Sequence, residues 1–221
     1  MGLENSTRPN NARLKQFEDT LRRYGVPRRI VDAMLKVPRE KFVLPPYEQW
    51  AYADTSLTIG FGQTISQPSL VGKMIDALKT EPDHTVLDVG TGSGYQAAIL
   101  SKLVRRVVTV ERVPELVESA SKVLSELGCA NVELHPTGEE LGWPDDAPYD
   151  GIIVGAAAPR VPTALVNQLK TGRRLVIPVG SAEVQNFYVV ERTESGHHHS
   201  VMEAVKFVPL VGQGAWPNRG E

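Results

Sequence analysis

The chain has 221 residues, enough for one well-buried domain and short for two. Its 41% hydrophobic and 23% charged residues exclude disordered and fibrous classes, and a formal net charge of −2 gives no electrostatic reason to expect a nucleic-acid or anionic-membrane partner. A single cysteine, Cys129, excludes an intrachain disulfide and fits a reducing cytoplasm, and no apolar run approaches the ~20 residues that cross a bilayer.

Residues 1–10 read as a flexible leader whose polar start lacks a signal-peptide core. MGLENS fits a myristoylation pattern and Asn5-Ser6-Thr7 a glycosylation acceptor, but both patterns are short and frequent by chance. From Asn11, Leu14, Phe17, Leu21 and Tyr24 recur at helical spacing until Gly25. Pro27 opens a second helix carrying Ile30, Val31, Met34 and Leu35, closed by Pro38. Between 38 and 70, Pro and Gly are frequent and no period lasts; so long an irregular segment inside a compact domain is usually functional.

Beyond Pro68 the chain alternates, with strands expected at 84–89, 106–110, 131–135, 150–154 and 173–178 and helices at about 69–79, 94–104, 114–127 and 161–170. Such alternation implies right-handed crossovers and a mostly parallel sheet. Residues 186–192 and 203–210 then alternate apolar and polar without a helix between them, which predicts an antiparallel hairpin at one edge, with His197-His198-His199 in its turn. Adjacent strand residues face opposite ways, so at most His197 and His199 converge, and no metal is expected. The expected organisation is one domain over 11–221, with helical decoration and a substrate lid over 11–68 and an α/β core over 69–210.

Residues 86–94, VLDVGTGSG, run from a strand into a glycine turn that could cradle a hydride carrier or a methyl carrier. Dinucleotide folds place the third glycine three residues after the second, whereas Gly90, Gly92 and Gly94 alternate strictly, two residues after Asp88. S-adenosylmethionine has no pyrophosphate but carries an ammonium group, which Asp88 could meet while the glycines let the backbone approach. That spacing favours the methyl carrier. Glu111, ending the next strand, could accept from a ribose diol and supports either nucleoside. After the fourth strand comes YDGIIVGAAAP in place of a base-stacking motif, and its small residues leave room for a polypeptide main chain. Cys129 fits packing better than a nucleophile's role.

Three further stretches, VPREKFV at 37–43, Ala51-Tyr52-Ala53-Asp54 and IGFGQTISQP at 59–68, add to these. With the glycine turn, YDGIIVGAAAP and LVIPVG, they make a chain that resembles the protein L-isoaspartyl (D-aspartyl) O-methyltransferase family from about residue 13 to Leu210, GQTISQP being the most specific piece. The resemblance implies a Rossmann-like S-adenosylmethionine-dependent methyltransferase fold, a mostly parallel sheet with helices on both faces and an antiparallel edge hairpin. It also implies methyl esterification of the free α-carboxylate of L-isoaspartyl residues in damaged proteins and peptides, with S-adenosylhomocysteine as product. The ester then closes to a succinimide, whose hydrolysis begins repair. A cytoplasmic monomer is expected.

The resemblance further implies Ser66 as the active-site residue, its hydroxyl orienting the substrate carboxylate; the alternative is that Ser66 only shapes the start of the helix at Pro68. It implies cofactor contacts from Thr64, Ile65, Ser66, Gln67, Asp88, Gly90, Gly92, Gly94, Glu111, Gly138 and Glu139, and substrate contacts from Asp54, Gln63, Gly155 and Ala156. Two stretches depart from the family pattern. Thr137-Gly138-Glu139 stands where Gly-Asp-Gly is common, and Arg173 where a second glycine is usual. PLVGQGAWP, at 209–217, could cover the substrate groove or simply pack.

Overall fold

The computed structural model describes residues 11–217; the leader and the two modification patterns within it lie outside the described residues. Two helices, α1 (Asn11–Arg23) and α2 (Arg28–Leu35), precede two 3-10 turns at Arg39–Phe42 and Pro45–Trp50. A short hairpin follows, β1 (Leu57–Gly60) and β2 (Gln63–Ile65), and then α3 (Pro68–Ala77). The alternating region comprises β3 (Thr85–Val89), α4 (Tyr95–Leu100), β4 (Arg106–Glu111), α5 (Pro114–Glu126), β5 (Val132–Pro136), β6 (Tyr149–Val154), α6 (Thr163–Asn167), β7 (Leu169–Gly180), β8 (Gln185–Thr193) and β9 (Gly196–Val205).

The seven-stranded sheet has the order β5-β4-β3-β6-β7-β8-β9. Its first five strands pair in parallel and the last two add antiparallel. The chain reverses direction between β3 and β6, and α/β sheets bind ligands at such a switch point, beyond the carboxyl ends of the strands. The strand period of two divides the interior. Val86, Val107, Ile153 and Val176 face one core with the apolar stripes of α1 to α5, while Leu87, Val108, Ile152 and Leu175 face another that α6, Trp143 and Leu210 close. In α5, Leu116, Ala120 and Leu124 are buried at i, i+4 spacing, and Pro114 supplies a fixed φ at the first helical position.

Several boundaries differ from the sequence expectation. The helix expected over 161–170 is a single turn, because Gln168 ends it and Leu169 already pairs with Tyr149. The pairing then slips before Gly151 meets Arg174, so Lys170–Arg173 form an irregular entry to β7, and Arg173 sits in that irregularity. The final hairpin is shorter-looped and earlier than expected: Thr193 pairs with Gly196 around Glu194-Ser195, so His197–His199 belong to β9 and not to the turn. Every residue of β9 from Gly196 to Ala204 is exposed, so the strand carries no alternating burial signal that a sequence could display. The irregular segment over 38–68 contains β1 and β2, which the absence of a lasting period concealed.

Candidate active site

Two adjoining cavities open at the carboxyl ends of β3, β4 and β6. The larger is lined by Gln63, Thr64, Gly90, Gly92, Glu111, Arg112, Thr137, Gly138, Glu140, Leu141, Gly155, Ala156 and Val208–Val211. The smaller is lined by Thr64, Ile65, Ser66, Val71, Gly90, Gly92, Tyr95, Gln96 and Gly155. Thr64, Gly90, Gly92 and Gly155 belong to both, so the two spaces meet at the glycine turn under β2.

The glycine turn works by removing side chains. Gly90 has φ +89°, a left-handed conformation that side chains disfavour, and its N–H with that of Thr91 donates to the Val110 carbonyl. A Cβ on Gly155 would stand 3.0 Å from the Gly90 carbonyl oxygen, a close approach that keeps the cleft floor at backbone level. Glu111, 6% exposed, is tied down by three backbone donors: Gly92 N–H to Oε2 at 2.8 Å, and Arg112 and Val113 N–H to Oε1 at 2.8 and 3.0 Å. A carboxylate offers about four acceptor directions, so one remains for a ligand hydroxyl.

Asp88 is fully buried and lines neither cavity. Gln96 Nε2 donates to Oδ1 at 2.7 Å and Thr109 Oγ1 to Oδ2 at 2.9 Å, and the two threonine hydroxyls of Thr91 and Thr109 are 2.7 Å apart. Burial pushes its carboxyl up to about 7, with the nearby Glu111 charge adding, against the two hydrogen bonds that favour ionisation. Asp88 therefore sets the orientation of Gln96, which does reach the smaller cavity.

In the segment before α3, Asp54 Oδ1 accepts from Ser69 N–H at 2.8 Å and Oδ2 from Ser69 Oγ at 2.7 Å. It thereby caps α3 from outside the helix, and neither Ser66 nor Gln67 contributes a side-chain cap. The Ser66 hydroxyl has no hydrogen-bond partner among the described residues, and its carbonyl accepts from Arg39 Nη2 at 2.8 Å. Arg39 is fully buried, also donates from Nε to the Ala51 carbonyl at 2.8 Å, and lies 4.5 Å from the Tyr95 ring. Burial lowers its pKa from the usual arginine value, the neighbouring Tyr95 opposing, and leaves Nη1 and the Tyr95 hydroxyl without partners.

Of the residues singled out in the sequence, Gln63, Thr64, Ile65, Ser66, Gly90, Gly92, Glu111, Gly138, Gly155 and Ala156 are brought to the cavity walls. Asp54, Gln67, Asp88, Gly94 and Glu139 are not among the lining residues, and Glu140 stands in the wall beside Gly138. Sequence reasoning did not single out Arg39, Tyr95 and Gln96, and left open the part of the C-terminal segment. That segment is held by Ala157 N–H donating to Val208 and Leu210 N–H donating to Ala157, and Val208–Val211 form one wall of the larger cavity. The PREKF run could have flagged Arg39, since it stands three positions before the buried Phe42 on a short helical turn, and a buried arginine must find acceptors.

A parallel sheet in this order, a side-chain-free glycine turn after its central strand and a backbone-anchored acid after the next define an S-adenosylmethionine-dependent methyltransferase. The sequence model for protein-L-isoaspartate(D-aspartate) O-methyltransferase matches residues 12–215, and the chain belongs to that family. It is 47% identical over 192 residues to protein-L-isoaspartate O-methyltransferase 2 of Nitrosococcus oceani, covering 86% of this chain and 87% of the relative. It is 46% identical over 190 residues to the Methanoregula boonei protein-L-isoaspartate O-methyltransferase, covering 86% and 88%. A solved protein-L-isoaspartate O-methyltransferase superposes with a TM-score of 0.82 at 27% identity, over 91% of this chain and 67% of that one. A Plasmodium falciparum structure described as the same enzyme, in complex with S-adenosyl-L-homocysteine, superposes with a TM-score of 0.74 at 26% identity, over 88% and 96%.

Proposed function

We propose that this chain methyl-esterifies the free α-carboxylate of L-isoaspartyl residues in damaged proteins and peptides, using S-adenosylmethionine and releasing S-adenosylhomocysteine. The observation that carries the reading, beside family membership, is the junction at Thr64. The GQTISQP stretch contributes to the walls of both the larger cleft and the smaller cavity, and the smaller one is lined by Ser66, whose hydroxyl has no partner among the described residues. The residues present fit the cofactor, because a Cβ at Gly155 would press on Gly90 and because Glu111 keeps an acceptor direction free.

When bound, S-adenosylmethionine supplies an electrophilic methyl group on a sulfonium. Glu111 accepts from the ribose diol, Gly138 and its neighbours offer backbone groups to the adenine, and Gly90 and Gly92 let the backbone approach. An ionised substrate carboxylate is already a nucleophile, so the protein needs no strong general base. Ser66 donates to that carboxylate and holds it in line, within the ~3–3.5 Å of a near-attack geometry. Gln63, Gly155 and Ala156 admit the substrate main chain, and Asp54 acts by ordering the segment that carries Ser66. The following main-chain nitrogen then attacks the ester carbonyl and methanol leaves with its proton, closing a succinimide without further help and starting repair.

The single cysteine supports a cytoplasmic protein and the near-neutral charge one that acts on polypeptides and not nucleic acid; among the described residues no helix is long and apolar enough to cross a membrane. The segment 38–68 serves as the substrate lid. The test is methyl transfer from labelled S-adenosylmethionine to paired peptides differing only in an aspartyl or isoaspartyl linkage. Base-labile label on the isoaspartyl peptide alone is expected; label on neither, with the cofactor still bound, overturns the reading.

A further inference from the structure

The tip of the β1–β2 hairpin is built at a local cost that nothing inside the molecule repays. Gly60 pairs with Gln63, so the turn has two central residues, Phe61 and Gly62. Both have positive φ, +53° and +70°, the pattern of a type I′ turn. Asn, Asp or Gly take the first of these positions readily, whereas a bulky aromatic there is strained. Phe61 is nevertheless 58% exposed and makes no ring stacking or cation–π contact among the described residues. One exposed phenylalanine is unremarkable on a surface, but one that is both strained and unpacked has no reason in the fold.

Its position supplies a reason. Ile59 on β1 lies over the glycine turn, its Cδ1 3.4 Å from where a Gly92 Cβ would stand, and Gln63 and Thr64 on β2 line the cofactor cleft. The Gln63 amide reaches back to the Phe61 carbonyl at 3.5 Å. Phe61 is three residues from Thr64, so it lies no more than about 10 Å along the strand from the junction of the two cavities. An extended peptide held there crosses that distance in about three residues.

Resting on the isoaspartyl methyltransferase reading, we infer that Phe61 is a specificity-determining residue. Its ring packs against an apolar or aromatic side chain of the substrate within about three residues of the isoaspartyl linkage. The turn presents the ring outward, and Gly60 and Gly62 on either side keep the approach free of other side chains.

The test measures KM and kcat for two isoaspartyl peptides identical except that residues adjoining the isoaspartyl are leucine in one and glycine in the other. The wild type is expected to favour the leucine peptide. Phe61→Ala should raise its KM about tenfold, leave the glycine peptide and the KM for S-adenosylmethionine nearly unchanged, and alter kcat by less than about twofold. Phe61→Asn suits the left-handed turn and should behave like Phe61→Ala while melting no lower than the wild type. If Phe61→Asn restores the low KM, the backbone and not the ring matters and the proposal falls. It falls equally if Phe61→Ala changes neither peptide, or raises the KM for S-adenosylmethionine as much as that for peptide. Wild-type protein that methylates neither peptide would overturn the isoaspartyl reading itself, which the other outcomes leave standing.

Discussion

Arg39 Nη2 donates to the main-chain carbonyl of Ser66 at 2.8 Å, from a residue 27 positions earlier in the chain. The same guanidinium holds Ala51, so one buried cation spans the start, middle and end of the 38–68 segment. Arg39→Met keeps much of the volume but removes both donors and should cost about 2–4 kcal/mol in urea unfolding. Arg39 does not line the larger cavity, so calorimetric affinity for S-adenosylmethionine should stay within about twofold while kcat for isoaspartyl peptide falls. An equal loss of cofactor affinity would place its influence elsewhere.

Ser66→Ala removes a hydroxyl that no other described residue engages. Its stability should therefore change by less than about 0.5 kcal/mol, as for a surface substitution. Methyl transfer should fall by one to two orders of magnitude, roughly what a lost positioning hydrogen bond costs. A variant that unfolds more easily but turns over normally would show that the serine shapes the helix start after all.

Glu111→Gln keeps the shape but turns an amide group toward one of the backbone donors that the carboxylate now satisfies from both oxygens. Cofactor affinity should drop about 10- to 100-fold by titration calorimetry, with about 1–3 kcal/mol of stability lost. Gly155→Ala attacks the same cleft sterically through the 3.0 Å approach to the Gly90 oxygen, and should weaken cofactor binding while Glu111 stays in place.

Asp88 makes a pH prediction. Its folded carboxyl titrates at about 7 against 3.8 in an open chain, so the folded state holds a proton that the unfolded state has lost across that window. The contribution is fully present below 3.8 and is lost as pH rises through about 7, by up to ~1.4 kcal/mol per pH unit. Unfolding free energies of the wild type minus those of Asp88→Asn, measured from pH 4 to 8.5, should fall with pH and level off above 7. A difference that rises with pH would mean the carboxylate is stabilised ionised.

The parallel core was legible because strands buried on both faces read as continuous apolar runs, as VVTVE and YDGIIV do. The glycine turn and Glu111 were legible because their roles depend on local spacing. Arg39 and Tyr95 were not, since they meet each other across 56 positions and Arg39 reaches Ser66 across 27; Gln96 was missed although Asp88 is only eight positions away, because its spacing does not show that the two side chains meet. The roles of Asp54 and Asp88 were hidden for the same reason. A carboxylate in a functional motif looks identical whether it faces a ligand or ties down a helix, and only the distances to Ser69 and Thr109 separate the two. The β9 hairpin slipped because a strand exposed on both faces leaves its register to turn geometry alone.

The wall that Val208–Val211 contribute also has a consequence for the order in which the site is completed. The sheet through β7, the glycine turn, Glu111 and the 38–68 segment all precede it in the chain, so without residues 208–211 the larger cavity would lie open along one side. The larger cavity is thus closed only once residues 208–211 have been made, and a protein cut just before Val208 would keep Ser66 and the glycine turn but lose one wall of that cavity.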